Sequence, residues 1–247
     1  MDIKRVLNTI DKKKKKLDSY RPLDKNVLEN LKEDLIVGWT YNSNAIEGNT
    51  LTLTETKVVL EGITVGGKTL REHLEVVNHK EAILFIEDII RKEEELNEWM
   101  IKSIHSLVMK GIADKNPGFY RESNVLISGA RHRPPEHFLV SQAMKDLMDW
   151  YHGKGQPLHP VERATKLHGI FVGIHPFLDG NGRTVRLLLN FELMREGYVP
   201  IIIRKEDRLE YYEVLDKAQV EKDYNKFIRF VAEREVRMLD FYLDFVK

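Results

Sequence analysis

The sequence predicts a mainly α protein, and three observations carry that expectation. Apolar residues recur at helical spacing through most of the 247 residues, as in Ala164, Leu167, Ile170, Phe171 and Ile174 behind a Pro160 suited to a first helical turn. The stretch from Thr184 to Met194 is apolar nearly all round, which marks a central helix enclosed by others. Strand signal is confined to two short places, Ile63 to Leu70, turning at Gly66-Gly67, and Gly118 to Pro135.

In chain order, the highly charged stretch before Leu23 reads as a loosely attached helix whose Lys12 to Lys16 run is a solvated face. Helical patterns then run from Asp24 to Ile46, from Arg71 to Arg91, from Asn97 to Lys110 and from Phe138 to Tyr151. Thr52-x-x-Glu55 has the spacing of a capping box for a helix that follows it. Val125-Leu126-Ile127 runs into the turn-like cluster Ser128-Gly129-Ala130, predicting a small β-hairpin. Pro134-Pro135 ends it, because proline donates no backbone hydrogen bond. Such an edge is open to strand addition by another chain. The amphipathic stretch from Tyr224 to Phe245 reads as a last helix. The expected division is a helical N-terminal region over 1–95, a core over 96–225 and a C-terminal helix over 226–247 packed on that core.

Lys and Arg total 39 and Asp and Glu total 39, so there is no bulk field to favour a phosphate backbone, and nucleic acid is not an expected partner. There is no cysteine, hence neither a disulfide nor a thiolate metal site, which fits a reducing, cytoplasmic setting. No run of about 18 apolar residues occurs, and no membrane is expected as a partner.

Chemistry concentrates in His175-Pro176-Phe177-Leu178-Asp179-Gly180-Asn181-Gly182-Arg183. Gly180 and Gly182 let the backbone turn tightly and approach a ligand closely. Arg183 opens the central helix, whose N-terminal N–H groups, with Arg183 and Arg186 one turn apart, make an anion socket. Asp179 is a hard carboxylate beside that socket, a common arrangement for holding Mg²⁺ next to phosphates. His175, at the other lip, is placed to take a proton from an attacking hydroxyl.

The His-Pro-Phe-x-Asp-Gly-Asn-Gly-Arg-x-x-Arg pattern from His175 to Arg186 resembles the signature of Fic domain proteins at every specified position. The resemblance implies a Fic-type helical bundle with the hairpin as a flap, and a protein adenylyltransferase that moves AMP from Mg-ATP to Ser, Thr or Tyr hydroxyls of target proteins, its own included. It implies His175 as the base, Asp179 as the Mg²⁺ ligand, Asn181 with the loop amides as an anion hole, and Arg183 and Arg186 on the β- and γ-phosphates. Gly180, Gly182 and Thr184 complete the ATP-binding turn. Relatives that act as kinases carry Lys where this chain has Gly182, which favours nucleotide transfer.

Ser43-Asn44-Ala45-Ile46-Glu47-Gly48-Asn49 resembles the family's inhibitory motif Ser/Thr-x-x-x-Glu-Gly/Asn, with Ser43 and Glu47 at its specified positions. The resemblance implies that Glu47 reaches Arg186 and takes the space of the γ-phosphate. Carboxylate and phosphate do compete for one guanidinium fork. Gly48 also suits a left-handed helix cap. Gly118-Phe119-Tyr120-Arg121 and the segment carrying Val125, Leu126 and Ile127 are similar to the family flap that holds the target. Arg208-x-x-Tyr211-Tyr212 matches the region bordering adenine, where both tyrosines would pack; Gln219 stands where some relatives have Asn. Two alternatives remain open. One is removal of AMP at the same site. The other is a nucleotide-binding regulatory module. A homodimer is implied by resemblance alone.

Overall fold

The computed structural model describes residues 2–22, 25–112 and 117–246, with the side chains of 25–28 and 30 outside that description. Helices make up the architecture, and among the described residues there is no strand. Its axis is α8 (Asn181–Arg195), in which every residue except Gly182, Met194 and Arg195 is buried. On one side Val185, Leu187, Leu188 and Phe191 pack with Ile86 of α4 (Leu70–Arg91), Ile104 of α5 (Glu98–Val108), Met144 of α6 (Val140–His152) and Phe171 of α7 (Pro160–Ile174). On the other, Leu189 and Leu193 pack with Ala164 of α7, Leu215 of α9 (Arg208–Glu221) and Phe227 of α10 (Asn225–Phe245). The expectation of a central helix enclosed by others is borne out, because two cores share it, although Arg186, Asn190 and Glu192 are buried along with the leucines. Truncating a fully buried leucine there, such as Leu188, costs roughly 2–5 kcal/mol.

α1 (Ile3–Asp18) departs from the expectation of a loose attachment. Val6, Leu7, Ile10 and Leu17 form a buried stripe in the same cluster as Leu239 and Leu243 of α10. Nor is the lysine run the wholly solvated face that its pattern predicts: Lys13 pairs with Asp240, and Lys14 with Asp18 at 2.9 Å. Charge density in the sequence masks a narrow apolar stripe sufficient for docking.

α2 (Lys25–Ile46) lies against α3 (Leu53–Leu60) and α4; Asp24, where the sequence pattern starts this helix, lies outside the described residues. The expected capping box forms at α3. Glu55 N–H donates to Thr52 Oγ1 at 3.2 Å and Thr52 N–H donates to Glu55 Oε2 at 2.7 Å. An equivalent box at Thr69 and Glu72 starts α4.

The expected hairpin, with Val125, Leu126 and Ile127 as one arm, forms no ladder, and neither does Ile63 to Leu70. Side chains instead hold backbone groups on either side of that arm. Arg131 and His132 N–H groups both donate to Asp216 Oδ1, at 2.8 and 3.2 Å, and His137 N–H donates to Asn124 Oδ1 at 2.8 Å. The Arg121 guanidinium donates to the carbonyls of Ser123, Pro135 and His175. β-branched residues supply strand propensity, but tertiary anchors decide where the backbone bonds go. In the earlier segment, Val65 N–H donates to His73 Nε2 at 2.9 Å instead of to a neighbouring strand.

Candidate active site

The connection between α7 and α8 is held from within. His175 caps α7 in the left-handed region (φ 51°, ψ 60°), where few non-glycine residues sit, and Pro176 bars continuation of the helix. Asn181 then ties the loop across itself: Phe177 N–H donates to its Oδ1 at 3.0 Å and its Nδ2 donates to Phe177 O at 2.8 Å. Its side chain therefore ties the loop together and keeps one Nδ2 hydrogen beyond these two bonds. Gly180 (φ 77°) precedes α8 with no side-chain cap, so the first-turn N–H groups of the helix keep their capacity for an anion. Thr184 is fully buried in that turn, its N–H donating to Gly180 O at 3.0 Å.

His105, to which no sequence motif points, fastens this loop to α5. Its ring stacks on Phe177 with centroids 3.6 Å apart. Gly118 N–H donates to its Nδ1 at 2.9 Å, so Nδ1 carries no proton and Nε2–H donates to Asp179 O at 2.9 Å. Burial lowers its pKa to about 4, which keeps this tautomer neutral. The only signal in the sequence is a histidine on the apolar face of α5, indistinguishable there from a core filler.

Arg186 is buried and framed by the end of α2. Its Nε donates to Ser43 Oγ at 3.1 Å, its Nη2 donates to Ser43 O at 2.7 Å, and its Nη1 lies 2.8 Å from Glu47 Oε1. The structure thus brings Ser43, Glu47 and Arg186 together across most of the chain. Gly182 makes room for this: a Cβ there would collide with the Glu47 carboxylate and lie 3.1 Å from Arg186 Nη1. Arg183, also buried, pairs with Glu75 at 3.1 Å and stands 3.7 Å from Asp179.

Burial is the main reason the His175 imidazole is lowered to about 4, and the Arg121 charge adds to it. At neutral pH it is an uncharged base. Arg121 also fixes it mechanically, with Nε donating to His175 O at 2.9 Å and backbone N–H donating to Pro176 O at 2.9 Å. Burial opposes ionisation of Asp179, but Arg183, a hydrogen bond from Arg71 and the Gly180 N–H outweigh it and hold the carboxyl below its ordinary range. Among the described residues no cluster of three or more His, Asp or Glu forms a metal cage. A single exposed carboxylate fits Mg²⁺, which keeps waters and shares substrate phosphates, and would not fit a cation needing many protein ligands.

The two tyrosines part company. Tyr211 is 1% exposed, hydrogen-bonds His168 Nε2 at 2.9 Å and packs on Phe227 and Phe230, so it is core rather than an open face. Tyr212 is 37% exposed, with the Arg208 guanidinium 5.5 Å from its ring centroid, and is available to a ligand. Gln219 donates to Gly169 O at 3.3 Å beside a cavity of about 320 Å³ lined in part by His132, Gly173 and Ile174. Leu126 projects outward at 78% exposure, while Val125 and Ile127 are half-buried.

Comparison with known proteins agrees with this geometry. The Fic/DOC family profile matches residues 95–193, which contain α5 through most of α8. Protein adenylyltransferase Fic of Nematostella vectensis is 40% identical over 241 residues, covering 96% of this chain and 56% of that protein. Its namesake from Culex quinquefasciatus is 37% identical over 95% of this chain and 47% of that protein. The chain thus spans about half the length of these curated relatives. Among solved structures, Fic-1 (residues 134–508) from C. elegans superposes with a TM-score of 0.88 at 31% identity, covering 98% of this chain and 72% of that one. A Fic domain containing signaling protein from Bacteroides thetaiotaomicron gives 0.88 at 30% identity, covering 98% and 97%. With the loop, the helix it opens and the whole surrounding bundle matched at this identity, the chain belongs to the Fic/DOC family.

Proposed function

We propose that this protein is an adenylyltransferase that transfers AMP from Mg-ATP to a hydroxyl of a protein, and that Glu47 restrains it. The observation that carries the reading is one turn of chain with a neutral imidazole fixed at one lip and two buried guanidinium groups just inside α8. His175 accepts the proton of the target hydroxyl as its oxygen attacks the α-phosphorus. The bond to the bridging oxygen breaks and pyrophosphate leaves with that electron pair. The amides at the start of α8 and the side chains of Arg183 and Arg186 hold the phosphates in line and offset developing charge. Asp179 would hold Mg²⁺, which neutralises phosphate charge when bound. Glu47 occupies one edge of the Arg186 guanidinium in place of a phosphate oxygen.

The target segment lies along the 118–135 flap, whose exposed Leu126, with the half-buried Val125 and Ile127 beside it, offers an apolar hold along irregular backbone. Adenine lies against Tyr212, near Gln219. Residues 96–225 form the catalytic unit in this reading, 1–95 supply the brake, and 226–247 brace α9.

The test is incubation with Mg²⁺ and ATP labelled at the α- or the γ-phosphate, comparing the unmodified protein with Glu47→Gly and His175→Ala. Label from the α position on protein, increased in Glu47→Gly and lost in His175→Ala, is the expected result. Label arriving only from the γ position would mean a kinase, and undiminished labelling in His175→Ala would remove the proposed base.

A further inference from the structure

Two α4 side chains one helical turn apart, Arg71 and Glu75, close onto the loop from outside. Arg71 Nη2 lies 2.6 Å from Asp179 Oδ2, and Arg71 Nε lies 3.1 Å from Glu75 Oε1. Glu75 Oε1 lies 3.1 Å from Arg183 Nη1, and Arg183 Nη2 lies 3.7 Å from Asp179 Oδ1. Two carboxylates and two guanidinium groups therefore alternate around a closed ring. Its inner members are tightly enclosed, with Arg183 and Glu75 side chains 2% and 10% exposed. The outer pair, Arg71 and Asp179, are 55% and 51% exposed. A ring built this way opens at its outer edge.

We propose that Arg71 is the resident counter-ion of Asp179, occupying in the nucleotide-free protein the carboxylate face that a divalent cation must take. This inference rests on the reading of Asp179 as the metal ligand. Asp179 Oδ1 already accepts the Gly180 N–H at 2.6 Å and faces Arg183, which leaves Oδ2 as the oxygen open to a cation. Arg71 holds that oxygen. A dication and a guanidinium cannot share it without strong repulsion, so one displaces the other. Arg71 is the member that can move, because its side chain is long and solvated and Glu75 retains its Nε as a pivot. The same carboxylate reaches the brake: Asn49, two residues beyond Glu47, donates from Nδ2 to Glu75 Oε2 at 2.9 Å and to Glu72 O at 3.1 Å. Arg71 is thus a positioning residue that sets how much Mg²⁺ the site requires.

The experiment measures binding of a fluorescent ADP analogue during Mg²⁺ titration, at low salt, to the unmodified protein, Arg71→Ala and Asp179→Ala. Thermal melting of each variant verifies that it is folded, which the exposure of both side chains favours. Arg71→Ala is expected to lower the half-maximal Mg²⁺ concentration by about two- to fivefold, the weight of an exposed ion pair. Asp179→Ala is expected to abolish the Mg²⁺ enhancement. An unchanged or increased requirement in Arg71→Ala, with the enhancement lost in Asp179→Ala, overturns the role given to Arg71 and leaves the metal-ligand reading standing. Full enhancement in Asp179→Ala overturns both.

Discussion

Arg183 and Arg186 stand one turn apart on the same helix, yet their surroundings differ in kind. Arg186 is gripped by a hydroxyl, a backbone carbonyl and a carboxylate, all supplied by the last turn and immediate end of α2. Arg183 belongs to a ring of charges whose far side is half open to water. A backbone carbonyl cannot leave without moving its helix, whereas a solvated ion pair exchanges cheaply. The contrast separates a stiff end of the site, where displacement needs α2 to give way, from a soft end that small ions can rearrange.

The sharpest way to break this contrast is Arg186→Ala, which should reduce protein labelling from α-labelled ATP by about 10²–10³-fold, as losing one buried charge-stabilising group does. Adding Glu47→Gly to that variant should recover nothing, since the brake acts only through Arg186. A double variant that regains activity would locate the restraint elsewhere. In the unmodified background Glu47→Gly should raise labelling roughly 10- to 100-fold, the weight of one charge-assisted hydrogen bond. Glu47→Gln should give a smaller rise in the same assay, because the amide oxygen keeps a neutral version of the contact.

Buried histidines flank both ends and make the comparison depend on pH. Burial lowers His79 and His168 to about 3, with the Arg186 charge as the next cause, and lowers His105 and His175 to about 4. An unfolded chain takes up these protons near pH 6.5, while the folded one refuses them until pH is far lower. Stability should therefore be retained above about pH 6.5 and fall as pH drops toward 4, by up to ~1.4 kcal/mol per pH unit for each imidazole. Urea unfolding across that range measures it, and a flat profile would contradict the burial. For activity, the same lowering predicts an acid limb of kcat/KM below that of free imidazole. Arg121→Gln should move that limb upward by removing a positive neighbour.

The smallest expected effect sharpens the soft end. Glu75→Gln should lower the melting temperature, corresponding to ~1–2 kcal/mol, because the buried Arg183 keeps a polar neighbour but loses the opposite charge. Differential scanning fluorimetry checks this, and a rise in melting temperature would show that the ring is a burden on the fold.

Much of this is legible in the amino-acid sequence. The central helix follows from Leu187, Leu188 and Leu189, three consecutive apolar residues that face different sides, and the turn from His175 to Arg186 stands out because so many ligand-holding residue types crowd into it. The link from Glu47 to Arg186 comes from a motif, not from periodicity. What stays hidden depends on contacts distant in sequence. Nothing local marks His105 as the bolt between the loop and Gly118, or Glu75 as the partner of Arg183. The hairpin fails partly for the same reason: Val125 to Ile127 have strand-forming side chains, but the distant Asp216 claims the Arg131 and His132 N–H groups, while Arg121, within the region, claims the Ser123 and Pro135 carbonyls. Tyr211 and Tyr212, adjacent in sequence, are separated only by which of them meets Phe227 and Phe230.

The bare α-carbon of Gly182 carries a further implication. The space a side chain would fill there is already held by the Glu47 carboxylate. A position in α8 and one just beyond α2 are consequently coupled: any side chain added at residue 182 pushes the Glu47 carboxylate aside, so enlarging the one loosens the other's hold on Arg186.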